Sequence, residues 1–82
     1  MIKVVFFASL REQLNCSNLS LTDENLTTVN DVKLSLACKS DQWKKIFENS
    51  TLLSAVNHEM TDGSKTIKSG DEIAFFPPVT GG

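Results

Sequence analysis

Residues 70–82 have the sequence GDEIAFFPPVTGG, and this stretch decides the predicted fold. Its segment EIAFF, residues 72–76, is dominated by apolar and aromatic side chains, which predicts a strand. Apolar side chains fall on both faces of this strand, and such strands typically lie at the centre of a sheet. Pro77 and Pro78 lack N–H donors, so the strand must end before them.

The segment IKVVFF, residues 2–7, is also apolar on both faces. We therefore predict that the first and last strands lie side by side at the centre of one sheet. With this pairing, Phe7 and Phe76 lie on the outward face of the sheet. A register shift of one residue would place Phe6 and Phe75 there instead, because side chains alternate along a strand.

Between these two strands, the sequence pattern predicts three shorter extended segments, one main helix and two short helices. Thr28 followed by Asp31 is typical of a helix N-terminus. In chain order these elements are a short helix near Leu10 with a capping box of Ser9 and Glu12, a strand at residues 19–21, the main helix after Thr28, a short helix after Ser40, a strand at residues 52–57, and a short extended piece at residues 65–67.

One mixed sheet packed against one main helix fits this order of elements. The predicted fold class is α+β, a ubiquitin-like β-grasp with short extra helices. With 82 residues, the chain is expected to form a single domain. We assign residues 1–76 to the β-grasp domain and residues 77–82 to an extended C-terminal tail that ends in Gly-Gly.

The charge and hydropathy of the chain argue against several classes of function. The net charge is −2 and the basic residues are scattered, unlike the basic patch of a nucleic-acid binder. No apolar stretch is long enough to span a membrane, and the N-terminus is apolar for only a few residues, unlike a signal peptide. We expect a cytoplasmic protein in which Cys16 and Cys38 are free thiols.

The body of the domain offers little chemistry. His58 is the only histidine, and no cluster of cysteine or acidic residues around it has metal-ligand spacing, so we predict no metal site. The serines lack a neighbouring base for nucleophilic catalysis, and no phosphate-binding loop is present. The body is therefore predicted to be a scaffold.

Chemistry is predicted at the tail instead. Pro77 and Pro78 favour a semi-rigid extended path. Val79 and Thr80 have branched side chains that also prefer extension. The tail is therefore expected to point away from the body.

Gly81 and Gly82 have no side chains, so their backbone can pass through a channel too narrow for any Cβ. The terminal α-carboxyl group titrates at about pH 3.5 and is ionised at neutral pH. A carboxylate is a poor electrophile, but ATP can convert it to an acyl-adenylate, which a sulfur donor can attack. We therefore predict that Gly82 is the reactive end of the chain.

The chain resembles the small subunits of molybdopterin synthase, the MoaD family of ubiquitin-like sulfur carriers. The resemblance runs nearly end to end and is strongest at MIKVVFFASLRE (residues 1–12), LLSAVN (residues 52–57) and GDEIAFFPPVTGG (residues 70–82). The last segment is the most specific, because an aromatic pair and a proline pair precede Val-Thr-Gly-Gly.

The resemblance implies a mechanism and partners. An ATP-dependent adenylyltransferase would activate the Gly82 carboxylate, and a sulfurtransferase system would convert it to a thiocarboxylate. The tail would then enter the large synthase subunit and deliver sulfur to cyclic pyranopterin monophosphate, and two deliveries would complete molybdopterin. The resemblance also implies a heterotetramer with two large subunits at its centre, which carry the catalytic side chains. The small subunit would bind no cofactor, and the activating enzyme would consume the ATP.

Four residues are candidates for the interface with these partners. Phe7 and Phe76 would form an exposed aromatic patch, which typically marks an interaction site; the short helix or loops could cover this face instead. Met60 is predicted near the sheet edge, where a flexible thioether suits adaptable contacts. Arg11 could hold the base of the tail through its guanidinium group, or it could be paired with a surface acid.

Three alternatives remain open. The chain could carry sulfur to another product, such as the thiazole ring of thiamine or a thionucleoside of tRNA. It could be a ubiquitin-like modifier joined to target lysines through Gly82. It could also be a plain interaction domain with an inert tail.

Overall fold

The computed structural model describes residues 1–23, 25–48 and 52–78. This part of the chain contains five strands and three helices. In chain order they are β1 (Ile2–Phe6), α1 (Ala8–Leu14), β2 (Asn18–Leu21), α2 (Val29–Ala37), α3 (Asp41–Phe47), β3 (Leu53–Val56), β4 (Glu59–Thr61) and β5 (Glu72–Phe76).

The strands form one mixed sheet in the order β2-β1-β5-β3-β4. β1 and β5 are parallel, with Phe6 opposite Phe75, and the other neighbouring pairs are antiparallel. The central pairing of the first and last strands is confirmed. Mixed pairing around a parallel central pair, with α2 as the longest helix, confirms the predicted α+β β-grasp.

The core lies between one face of the sheet and the helices. Val4, Phe6, Ile73 and Phe75 supply the sheet side, and each of them is essentially buried. On the helix side, α2 buries the stripe that the spacing predicts: Val29, Val32 and Leu36. Burial of side chains of this size typically stabilises a fold by about 1.5–3 kcal/mol each.

Side-chain caps fix where the two core-side helices begin. The Asp31 N–H donates to Thr28 Oγ1 (3.2 Å), and the Thr28 N–H donates to Asp31 Oδ2 (3.1 Å), which makes a complete capping box on α2. The Trp43 N–H donates to Ser40 Oγ (3.1 Å) at the start of α3. Both predicted N-caps are confirmed.

The predicted capping box of Ser9 and Glu12 is wrong. α1 begins at Ala8, directly after Phe7, whose side chain makes no cap hydrogen bond. The Phe7 N–H donates to the carbonyl of Phe75 (3.1 Å), which keeps the backbone on the sheet up to that residue. Ala8 then turns the chain with a positive φ of 55°, so Ser9 lies inside the first helical turn.

The short extended piece at residues 65–67 is also different from the prediction. This segment forms only an isolated bridge, between Thr66 and Thr28, and the fifth strand of the sheet is β4 instead.

A two-residue turn joins β3 to β4. Its residues, Asn57 and His58, have positive φ angles of 51° and 73°. Positive φ at both central residues is typical of the tight turns that match the twist of a hairpin.

The proposed division of the chain at residue 76 stays a prediction. β5 ends at Phe76, and Pro77 is half-buried while Pro78 is exposed. Residues 79–82, on which most of the predicted tail falls, lie outside the described residues.

A buried carboxylate ties the β3–β4 turn to the start of β5. Asn57 Nδ2 donates to Asp71 Oδ1 (3.0 Å), and the Lys68 N–H donates to Asp71 Oδ2 (2.9 Å). These hydrogen bonds, that from Asn57 first, lower the pKa of Asp71 below its ordinary value of 3.8. The Asn57 amide also accepts from the Glu72 N–H (3.0 Å), so one side chain bridges both segments.

The ionised form of Asp71 should therefore stabilise the fold. Because its pKa is lower in the folded chain than in the unfolded chain, the stabilisation is present above pH 3.8 and is lost as the pH falls through the folded-state pKa. We predict that Asp71→Asn lowers the free energy of unfolding at neutral pH, and that its deficit relative to the wild type shrinks in acid. Urea unfolding of both proteins, from neutral pH to below pH 3.8, tests this prediction. A difference in the free energy of unfolding that stays constant down to the most acid pH would contradict it.

Candidate functional site

The outward face of the sheet is the side opposite the core. Phe7 is 51% exposed and Met60 is 61% exposed on it, and Phe76 is half-buried. Strand alternation and register place the following apolar residues on this face: Val5, Phe7, Leu53, Ala55, Met60, Ala74 and Phe76. Ala55 is buried and the others are exposed or half-buried. Exposed apolar side chains grouped on one face typically mark an interaction site.

The structure settles the register question for the aromatic residues. Phe6 and Phe75 are only 1% and 0% exposed, so the alternative with these two residues on the outward face is wrong. Phe7 and Phe76 lie on the outward face of the central strands, and Leu53 lies opposite Phe76 on the next strand. The interface role of these residues stays a prediction.

The outward face is charged at the end that is far from the tail. Glu72 lies between two basic groups: its Oε2 is 3.7 Å from Lys3 Nζ, and its Oε1 is 3.4 Å from His58 Nε2. His58 occupies the β3–β4 turn, as an exposed turn histidine would. The face is therefore apolar where the tail leaves the sheet and polar at the opposite end.

Four aromatic rings pack beneath the end of β5, on the core side. Phe75 lies 6.4 Å from Phe6 in a stacked arrangement and 5.5 Å from Phe47 edge-on, measured between ring centroids. Trp43 contacts Phe6 edge-on at 5.7 Å and Phe47 at 6.0 Å. We call these four residues the aromatic brace. It fixes the strand two residues before Pro77.

Helix α1 lies next to β5, close to where the tail begins. Arg11 is exposed on this helix, and its side chain forms no ion pair within the described part of the chain. At the base of the tail, Pro77 and Pro78 are described, and no hydrogen bond joins the Arg11 side chain to them; residues 79–82 lie outside the described residues. The role of Arg11 stays a prediction.

The described residues contain no group of three or more His, Cys, Asp or Glu placed to hold a metal ion. Cys16 and Cys38 are free thiols. Cys16 is half-buried and its Sγ donates to the Asn18 carbonyl (3.2 Å), whereas Cys38 is exposed at the end of α2. No helix in the described ranges is both long enough and apolar enough to cross a membrane.

The sequence pattern did not identify two parts of this site. Leu53 and Ala55 extend the outward face, and the alternation of LLSAV carried the signal for them. Trp43 and Phe47 fall in the short helix predicted after Ser40, but their contact with the first and last strands depends on how α3 packs. A spacing pattern does not contain that information.

A sequence model described as the ThiS family matches residues 4–82. The chain belongs to the ThiS family. Two relatives named molybdopterin synthase sulfur carrier subunit align over the full length of both chains: the Haemophilus influenzae protein is 43% identical and the Escherichia coli protein is 40% identical. The resemblance to the small subunits of molybdopterin synthase is therefore confirmed.

Solved structures share the fold of this chain. SAMP1 from Haloferax volcanii has a TM-score of 0.80 at 24% identity, covering 99% of this chain and 98% of that one. Small archaeal modifier protein 1 from Methanosarcina acetivorans has a TM-score of 0.76 at 30% identity, covering 99% and 95%. A complex of subunits 1 and 2 of molybdopterin-converting factor from Helicobacter pylori contains a chain with a TM-score of 0.69 at 23% identity, covering 99% and 97%.

Substitutions on the two faces of the central strands should lower the free energy of unfolding by different amounts. Phe75→Ala should lower the free energy of unfolding by about 3–5 kcal/mol, because it leaves a cavity inside the aromatic brace. Phe7→Ala should lower it by only about 1 kcal/mol, since half of that side chain is already in water. Urea unfolding of the two variants measures this; a large loss for Phe7→Ala would show that the outward face is covered within the chain.

Proposed function

We propose that this chain is the sulfur carrier subunit of molybdopterin synthase. The observation that carries the proposal is the full-length relationship, at 43% and 40% identity, to two proteins of that name. The geometry fits a carrier, because the folded domain has an apolar outward face beside the last strand, and the sequence after that strand ends in Gly-Gly.

The chemistry of the proposed carrier takes place at the Gly82 carboxylate. A carboxylate oxygen attacks the α-phosphorus of ATP, and pyrophosphate leaves. A sulfur nucleophile at the oxidation level of sulfide then displaces AMP from the carbonyl, which yields a thiocarboxylate. The thiocarboxylate sulfur forms a C–S bond with cyclic pyranopterin monophosphate, and water cleaves the resulting acyl–sulfur bond. The sulfur stays on the pterin, and the Gly82 carboxylate returns for another cycle. Two such deliveries complete the dithiolene of molybdopterin.

The chain supplies the reactive end and the docking surface, while its partners supply the catalysis. The large synthase subunit provides the catalytic side chains and the substrate pocket, in a heterotetramer with two large subunits at its centre. An adenylyltransferase provides the ATP site, so the carrier itself binds no cofactor. The Helicobacter pylori neighbour supports a second-subunit partner, since that protein of the same fold was solved in complex with one. A cytoplasmic location suits these partners.

The roles of the interface residues follow from the outward face. Phe7 and Phe76 would pack into an apolar partner surface next to the tail, and Met60 would extend the contact toward β4. Arg11 would hold the base of the tail from α1. Pro77, Pro78, Val79, Thr80 and Gly81 would thread through the partner's channel. Small or extended residues suit this task, because a narrow channel admits backbone but excludes bulky side chains.

A second candidate function is that of a protein modifier, attached to target lysines through Gly82. It is favoured by the 30% identity to small archaeal modifier protein 1 of Methanosarcina acetivorans over 99% of this chain. Both functions share the activated glycine, so they differ in the acceptor. Adducts with other proteins that survive denaturing electrophoresis support the modifier, and their absence together with a thiocarboxylate on the free chain supports the carrier.

A C-terminal extension tests the reactive end. Adding one leucine after Gly82 should abolish adenylation and sulfur loading, because the carboxylate then sits on a bulky residue one position further along. Folding and docking to the large subunit should be unchanged. Gly81→Ala is the matched mild variant, since it adds one methyl group and leaves the terminal residue intact. Molybdopterin synthesis by an untrimmed extended chain would refute the proposed chemistry.

Substitutions of two exposed apolar residues, one on each side of the sheet, test whether the outward face is the docking site. Phe7→Asp should weaken binding to the large subunit at least tenfold, because it puts a charge into an apolar contact. Leu34→Asp is the matched control: Leu34 is 67% exposed on α2, which covers the opposite face of the sheet. Its affinity should stay within about twofold of the wild type. Titration calorimetry measures both, and equal weakening by the two substitutions would contradict a docking site on the outward face.

A further inference from the structure

Trp43 lies on the core side of the sheet, away from the outward face, yet its ring is connected to the end of β5. It contacts Phe6 (5.7 Å) and Phe47 (6.0 Å), and both of these rings contact Phe75 (6.4 Å and 5.5 Å). Phe75 is the last core-facing residue before Pro77. Trp43 thus supports the strand end through two intermediate rings.

The helix that carries Trp43 is tied to the same end of the sheet by a second contact. Gln42 Nε2 donates to the Gln13 carbonyl (2.8 Å), at the C-terminal end of α1. Carbonyls at a helix C-terminus lack intrahelical partners, so this bond satisfies a group that would otherwise need water. Since α1 lies next to β5, the bond and the aromatic brace together hold α3, α1 and β5 as one unit.

The direction of the strand end matters because the proposed tail would magnify it. A six-residue segment that is extended, as proposed for the tail, would reach about 20 Å, so a tilt of about 10° at its base would move its end by about 3.5 Å. A misplacement of about 1 Å can already slow an enzymatic reaction about 100-fold. Pro77 and Pro78 transmit such a tilt rather than absorb it, because their rings fix φ.

We propose that Trp43 is a positioning residue for sulfur transfer: through Phe6, Phe47 and Phe75 it sets the direction in which the tail leaves β5. The inference rests on the proposed function as a sulfur carrier. It separates two properties of the carrier. The outward face determines how tightly the partner binds, and the aromatic brace determines how productively the tail enters it.

The test compares three variants of the full-length chain that carries the thiocarboxylate. Trp43→Leu removes the ring contacts, and Trp43→Phe retains an aromatic ring as the conservative variant. Ile67→Ala is the control for lost stability: Ile67 is buried, but it lies near the start of β5, at the opposite end from the tail. Affinity for the large subunit and the single-turnover rate at saturating large subunit are measured at a temperature where each variant is folded.

We expect Trp43→Leu to bind the large subunit within twofold of the wild type and to transfer sulfur at least fivefold more slowly. Trp43→Phe should restore the rate to within twofold, and Ile67→Ala should leave it unchanged. If Trp43→Leu does not fold, Trp43→Met takes its place, because its unbranched, flexible side chain fills irregular gaps without a ring.

A wild-type transfer rate in folded Trp43→Leu or Trp43→Met overturns the proposal, and so does an equal loss in Ile67→Ala. These outcomes differ from a failure of the proposed function. In that case the wild-type thiocarboxylate chain itself transfers no sulfur to the pterin.

Discussion

The parallel pairing of β1 with β5 is the interaction on which the rest of the structure depends. With Phe6 opposite Phe75, alternation sends these two rings into the core and sends Phe7 and Phe76 to the outward face. A shift by one residue would reverse all four, since the side-chain period of a strand is two. The same pairing brings the last strand to the middle of the sheet, so neighbours on both sides hold it where the tail begins.

In this arrangement the folded body supplies the structure, and the proposed chemistry takes place on the tail. The body combines a buried core, capped helices and a hydrogen-bonded Asp71 with an apolar outward face. The proposed reaction occurs inside a partner, at a tail whose last two residues have no side chains. A carrier of the proposed kind would benefit from such a division, because partners would recognise the body while the reactive group stays accessible. The polar row of Lys3, Glu72 and His58 lies at the far end of the face, so the two ends of the outward face differ in chemistry.

The sequence contained most of the fold but less of the site. Two strands with apolar side chains on both faces predicted the central pairing, and Thr28 with Asp31 predicted the start of α2, because both signals are local and strong. The Ser9 capping box failed since the Phe7–Phe75 hydrogen bond, a long-range contact, sets the start of α1. Strand β4 was missed because its turn uses Asn57 and His58 at positive φ without a glycine. The aromatic brace depends on the packing of α3, which no local pattern specifies.

The central claim is that the carboxyl group of Gly82 carries sulfur. Intact-mass analysis of the full-length chain from sulfur-replete cells tests it most directly, with fragmentation to locate any change along the chain. The account predicts a species heavier by one exchange of oxygen for sulfur, with the change confined to the last residue, and its loss when the activating enzyme is absent. An unmodified mass in cells that make molybdopterin with this carrier, or full activity after removal of the two glycines, would contradict it.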